Sequence, residues 1–134
     1  MTEEALASVL KENGLEKPPS LLMVAAECVP FAKTGGLADV AGTLAAELKQ
    51  LGFDVRVAMP YHRIVKEKLR EQAVHLKSFS VDLGWRSQYA GVETLEYNGV
   101  PYYFIDNEYY FGYEIYKGGN AEGEQYAYFC RAVL

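Results

Sequence analysis

The fold is decided by residues 21–59. They open with Leu21-Leu22-Met23-Val24-Ala25-Ala26 and pass through Glu27-Cys28-Val29-Pro30-Phe31-Ala32-Lys33-Thr34-Gly35-Gly36. They close on Phe53-Asp54-Val55-Arg56-Val57-Ala58-Met59. The first six residues form an unbroken apolar run of strand length, the pattern of a strand buried on both faces in a parallel sheet. The next ten, with their proline and paired glycines, read as a loop. Leu37, Val40, Ala41, Leu44, Ala45, Leu48 and Leu51 then recur at i, i+3, i+4 and i+7, so a helix is predicted with that stripe inward. Gly52 stops it, and the second apolar run is a strand ended by Pro60. Strand, loop, helix and strand make a right-handed βαβ unit, with the helix laid on a parallel sheet.

Outside this unit the signals change. On the N-terminal side, Thr2 to Gly14 reads as a short helix: Thr2 caps it, Glu3 and Glu4 occupy the first turn, and Ala5, Leu6, Val9 and Leu10 form a narrow stripe. Lys17-Pro18-Pro19-Ser20 breaks regular structure, so residues 1–19 are read as an appendage and residues 20–134 as the domain. On the C-terminal side, Ile64 to Gln72 is a mostly charged helix or turn. Val74 to Leu83 alternates in character, and Tyr89–Tyr97 and Val100–Ile105 flank Asn98-Gly99, a hairpin signal of the type I′ kind. The expectation is an antiparallel excursion over 74–106 whose last strand rejoins the main sheet. Asp106 to Asn120 reads as a Tyr- and Gly-rich loop. From Gly123 a helix is predicted with Tyr126, Phe129, Cys130, Val133 and Leu134 on one face; its stripe still runs at residue 134, which suggests a piece of a longer protein. The fold class is therefore α/β: a Rossmann-like parallel sheet with flanking helices and an antiparallel hairpin excursion.

Composition bounds the function. The 134 residues suit one domain, and at that length about two thirds of the unfolded surface can be buried. Thirteen basic against eighteen acidic side chains argue against a nucleic-acid partner. No apolar run approaches the ~20 residues of a membrane span, and the acidic start lacks the features of a secretory signal. Cys28 and Cys130 stand apart, outside any metal or disulfide spacing, and read as two buried thiols in a reducing cytoplasm. No metal and no cofactor are called for. His62 and His75 share no ligand spacing and read as packing or surface residues, and Glu108, Glu114, Glu122 and Glu124 read as solvated loop charges. Trp85 and the eleven tyrosines are core or a sugar-stacking surface.

The Lys33-Thr34-Gly35-Gly36 loop is the best candidate site. It follows the carboxyl end of the first strand, the edge at which open α/β sheets bind ligands. Gly35 and Gly36 permit positive φ and close approach of a ligand, the first helical N–H groups favour an anion or hydroxyl, and Lys33 suits a phosphate. Asp39, early in the helix, suits sugar hydroxyls. The same residues equally make a tight turn with a solvated lysine and a helix-capping aspartate. The loop is neither GxGxxG nor a Walker A, and no nucleophile elbow is present.

The string Glu27-x-x-Pro30-x-x-Lys33-Thr34-Gly35-Gly36-Leu37-Ala38-Asp39-Val40 resembles the N-terminal signature of bacterial glycogen synthases and plant starch synthases. The likeness continues through Gly52–Val57, Met59-Pro60-Tyr61, Tyr97–Val100, Tyr103–Phe111 and Tyr126–Leu134, and so covers residues 20–134. The resemblance implies a retaining glucosyltransferase of the GT-B arrangement, with this chain as its N-terminal, acceptor-side half. Its partners would be ADP-glucose, an α-1,4-glucan whose non-reducing end receives glucose, and a C-terminal GT-B domain. By the same resemblance Lys33 contacts the donor, Gly35 and Gly36 lie beside its glucose, Asp39 is near the sugar subsite and Tyr116 lines the acceptor site, although the loop around Tyr116 departs from the family in length and spacing. The histidine, arginine, lysine and late glutamate that complete the family's site match nothing in this chain. No catalytic residue is therefore assigned, the isolated chain is expected to be inactive, and its cleft face is expected to be broad and apolar. A non-catalytic glucan-binding module is the alternative. An unrelated dinucleotide-binding domain is disfavoured by the missing GxGxxG.

Overall fold

The structure, a computed structural model, describes residues 2–134. Its frame is one five-stranded mixed sheet in the order β1-β2-β5-β4-β3. The strands are β1 (Leu21–Val24), β2 (Val55–Pro60), β3 (Val74–Leu83), β4 (Arg86–Tyr97) and β5 (Val100–Asp106). β1, β2 and β5 run parallel, while β4 is antiparallel to both β5 and β3. The hairpin excursion is thus continuous with the main sheet, and its last strand does return to lie beside β2. The β4–β5 turn follows from Asn98 and Gly99, both at positive φ, as a two-residue type I′ connection requires.

Helices cover both faces. On one side lie α2 (Gly36–Gln50) and α3 (Arg63–Leu69), over a core of Val55, Val57, Met59, Tyr102 and Phe104. On the other side α4 (Glu108–Phe111) and α5 (Gly119–Val133) bury Tyr110, Phe111, Tyr128 and Phe129 against Val81, Ala90 and Ile105. α1 (Glu3–Glu12) is capped by Thr2, whose hydroxyl accepts from the Ala5 N–H at 3.2 Å. It buries only Leu6 and stands outside both cores.

Several expectations are corrected. β1 is an edge strand and not buried on both faces: Leu22 and Val24 are exposed, and Leu22 borders an open depression shared with Ala132 and Val133 at the end of α5. In α2 the stripe turned inward is Ala38, Ala41 and Ala45, whereas Leu37, Val40 and Leu44 face outward. Close approach explains the choice. The backbone of Val29 lies against the helix, its N–H bonded to the Ala38 carbonyl at 3.1 Å, and a Cβ on Gly42 would stand 2.7 Å from the Val29 carbonyl oxygen. Only small side chains fit that seam. In β3 the pairing shifts between His75 and Lys77, so Leu76 is an extra residue, and the inward face passes to Phe79, Val81 and Leu83. α5 begins at Gly119, four residues before the expected Gly123, and its buried face is Gln125, Tyr128, Phe129 and Ala132; Cys130 is exposed. Only Cys28 is a buried thiol. The loop expected over 106–120 contains α4, capped by the Asn107 side chain, which accepts from the Tyr110 N–H at 3.0 Å. Among the described residues, no helix is long and apolar enough to cross a membrane.

Candidate functional site

The three parallel strands end at one rim, and the chain segments leaving them meet there. Ala25 continues from β1 and donates its N–H to the Ala58 carbonyl at 3.1 Å; Tyr61 leaves β2 and donates to the Ile105 carbonyl at 2.8 Å. His62 follows, fully buried, and its Nε2–H donates to the Ala26 carbonyl at 2.7 Å. This fixes the tautomer and ties the end of β2 to the residue just before Glu27.

Glu27 organises the site. It is a carboxylate only 1% exposed. It accepts the Thr34 N–H at 3.2 Å, the Gly35 N–H at 3.1 Å, the Thr34 hydroxyl, and the Tyr116 hydroxyl at 3.3 Å. Burial pushes its pKa up, but the donors from Thr34, Gly35 and Tyr116 outweigh that and hold it below the ordinary glutamate value. One buried charge therefore joins three segments: the end of β1, the turn into α2 and the loop before α5. From outside, Lys68 of α3 donates its Nζ to the Pro30 and Phe31 carbonyls, each at 3.2 Å, which steadies the same loop.

Lys33 and Asp39 stand at the outer edge of this turn. They pair with each other, Nζ to Oδ2 at 2.8 Å and to Oδ1 at 3.0 Å, and both are about half exposed. The amine lies at the carboxyl ends of the strands, beside the N-terminus of α2. Gly35 is the N-cap of α2 with no side-chain cap. Neither Gly35 nor Gly36 adopts a positive φ, so the reason expected for glycine is not the one observed. A Cβ at either position would point into open space, so the surface in front of the turn is clear to the backbone. The N–H groups of Thr34 and Gly35, just ahead of the first helical turn, are engaged by Glu27.

Tyr116 is brought to this site through its bond to Glu27, and its ring leans on Tyr126, with centroids 5.7 Å apart. The Tyr126 hydroxyl donates to the Ile115 carbonyl at 2.7 Å, which holds the pair in place. Open depressions flank Tyr116. One is lined by Ala26, Leu37, Glu122 and Tyr126, the other by Thr34, Ile64 and Tyr113. All five expected residues, Lys33, Gly35, Gly36, Asp39 and Tyr116, thus lie on one rim. Glu27 and Thr34, which join them, were not among the expected site residues; a lone glutamate directly after an apolar strand was the signal available. His75 is a surface residue, its Nδ1 2.8 Å from Glu93. Among the described residues, no group of three or more His, Cys, Asp and Glu side chains is arranged to hold a metal ion.

A mixed α/β sheet with a cation, a carboxylate and a tyrosine at the carboxyl ends of its parallel strands has the form of an open-sheet ligand-binding domain. The comparisons with known proteins say which. A family profile described as the starch synthase catalytic domain matches residues 20–134. The glycogen synthase of Anoxybacillus flavithermus is 52% identical over 114 residues, covering 85% of this chain and 24% of the relative. The glycogen synthase of Bacillus cereus strain B4264 is 49% identical over 115 residues, covering 86% of this chain and 24% of the relative. Among solved structures, the catalytic domain of starch synthase IV from Arabidopsis thaliana, bound to ADP and acarbose, superposes with a TM-score of 0.73 at 22% identity, over 87% of this chain and 24% of that one. The chain belongs to the starch synthase catalytic domain family. It spans about a quarter of the length of the curated relatives it matches.

Proposed function

We propose that this chain is the acceptor-side, N-terminal domain of a glycogen or starch synthase. The complete enzyme would transfer glucose, with retention, from ADP-glucose to the non-reducing end of an α-1,4-glucan. Residues 20–134 would be the Rossmann-like domain of a GT-B enzyme and residues 1–19 an appendage that buries little against it. The observation that carries this reading is the Lys33–Asp39 pair at the start of α2, in front of a glycine turn open to the backbone. Asp39 holds the lysine at the rim, and both side chains keep half their surface in solvent, so a diphosphate or a sugar hydroxyl could reach either. A cation aimed at a departing diphosphate stabilises charge that grows in the transition state. Glu27 contributes by fixing the turn, and Tyr116 offers a ring face beside it. The bound ADP and acarbose of the structural neighbour support a nucleotide-sugar donor and a glucan-like acceptor.

The remaining charge-stabilising groups would come from a C-terminal domain, so residues 1–134 alone should release no ADP from ADP-glucose. The exposed thiol of Cys130 favours a reducing compartment, and the cytoplasm is the proposed location. The test is a chimera in which residues 20–134 replace the matching segment of the Anoxybacillus flavithermus glycogen synthase. ADP release with ADP-glucose and a glucan primer should be restored in the chimera and absent from the isolated chain. A folded but inert chimera, or turnover by the isolated chain, contradicts the reading.

A further inference from the structure

The loop between α4 and α5 carries Tyr116, yet its main chain does little to hold itself. Among the described residues, no hydrogen bond between main-chain groups involves residues 113–117. Tyr113, Glu114 and Tyr116 are exposed. Side chains of α5 hold the loop instead, chiefly Gln125, which is fully buried. Its amide Nε2 donates to the Tyr110 carbonyl at 2.9 Å, the Ile115 carbonyl at 3.2 Å and, more weakly, the Glu114 carbonyl at 3.4 Å. One amide thus ties the last turn of α4 to the middle of the loop. The Tyr126 hydroxyl converges on the same place, donating to the Ile115 carbonyl at 2.7 Å.

The two ends of the Gln125 amide are treated unequally. Carbonyl oxygens only accept, so the amide nitrogen must face the loop and its two N–H groups are shared among three acceptors. The amide oxygen is buried with no partner. An unmet buried acceptor costs free energy, and a side chain that only filled the core would do better as an apolar one of the same length. The donors toward the loop are what a glutamine adds here. Their effect reaches the rim through the covalent chain. The Ile115 carbonyl belongs to the planar peptide unit that ends at the Tyr116 Cα, so fixing that oxygen fixes where the Tyr116 side chain departs. From there the Tyr116 hydroxyl reaches Glu27 and its ring leans on Tyr126.

We propose that Gln125 is a positioning residue for the acceptor subsite, which by holding the Ile115 peptide sets Tyr116 against the Glu27 turn. The inference rests on the acceptor reading of Tyr116 above and adds to it a side chain that itself never reaches the surface. Two measurements test it. In the chimera, Gln125→Met keeps the length of the side chain and removes its donors. KM for the glucan primer should rise roughly 5–10-fold, with kcat and KM for ADP-glucose within about twofold of the unsubstituted chimera, because the Thr34 and Gly35 bonds to Glu27 remain. In the 134-residue chain, the same substitution should quicken trypsin cleavage after Lys117 by roughly 5–10-fold and leave cleavage after Lys11 in α1 unchanged. Tyr126→Phe keeps the ring beside Tyr116 and removes the other donor to Ile115; it should move both readouts in the same direction by roughly 2–4-fold, and it decides the matter if Gln125→Met does not fold. A glucan KM that does not change in a folded variant, an equal rise in both KM values, or unchanged cleavage at Lys117 overturns the proposal. An active chimera indifferent to Gln125→Met removes the positioning role and leaves the transferase reading intact. An inert unsubstituted chimera defeats the transferase reading, and the cleavage at Lys117 then judges by itself whether Gln125 holds the loop.

Discussion

Glu27→Gln is the most informative single substitution. In the wild type the two carboxylate oxygens accept from two backbone N–H groups and two hydroxyls, in a site with almost no solvent. Glutamine keeps one acceptor oxygen and replaces the other with an NH2 that itself donates. The N–H of Thr34 or of Gly35 then faces a donor, and the charge assistance on every remaining bond is lost. Hydrogen bonds to a charged group contribute about 1.5–3 kcal/mol, and an unmet buried donor costs about 1–3 kcal/mol. Allowing for partial rearrangement of the Thr34 hydroxyl, the expected loss at neutral pH is about 2–4 kcal/mol. For a chain of this size that corresponds to a fall in Tm of roughly 8–15 °C, measurable by calorimetry or circular dichroism. The pH dependence gives an independent check. The folded pKa of Glu27 lies below the ordinary 4.5, so its contribution is fully present above 4.5 and is lost as pH falls through the folded value. The gap between wild type and variant should accordingly narrow below pH 4.5. A variant that melts within about 2 °C of wild type at pH 7 would refute the claim that this carboxylate holds the turn together.

Three further outcomes are expected. Gly42→Ala places a Cβ 2.7 Å from the Val29 carbonyl oxygen, so α2 must lift from the loop; chemical denaturation should show a loss of about 1–3 kcal/mol, and an unchanged midpoint would contradict the close-packed seam. His62 is buried, and desolvation holds its pKa below the ordinary 6.5 despite the Ala26 carbonyl and Glu27. Its stability contribution is therefore complete above pH 6.5 and declines as pH falls toward the folded value, and denaturation curves from pH 7 to 5 should show this slope in the wild type but not in His62→Gln. A thiol reagent under native conditions should modify Cys130 alone, because Cys28 is buried and its pKa is raised by burial; rapid modification of both would place Cys28 wrongly.

Much of the frame is legible in the sequence because it rests on local signals. The apolar runs at 21–26 and 53–59, the period of α2 and the Asn98-Gly99 pair each act over a few residues and name their own structures. What is not legible depends on contacts between distant segments. The larger residues Leu37, Val40 and Leu44 suggest the inward face of α2, yet the loop at Val29 comes so close that only Ala38, Ala41, Gly42 and Ala45 fit beneath the helix. Leu22 and Val24 suggest a strand covered on both sides, but whether a face is covered is settled by elements elsewhere in the chain. The extra residue at Leu76 is visible in hindsight as a break in alternation, three steps from Leu76 to Phe79 instead of two. At the site, a lysine, two glycines and an aspartate are readable as candidates by type and place, and Tyr116 by family resemblance alone. The residue that assembles them is not. Glu27 meets Thr34 across seven positions and Tyr116 across eighty-nine, and no short-range pattern encodes either contact.

The most direct measurement of the central claim is steady-state ADP release by the chimera bearing Lys33→Ala, beside Lys11→Ala on the exposed helix α1. If Lys33 reaches the donor across the cleft and stabilises charge as the diphosphate leaves, kcat/KM for ADP-glucose should fall by roughly 10–100-fold in Lys33→Ala and hold steady in Lys11→Ala. Equal activity in the two variants, with both folded, would contradict it.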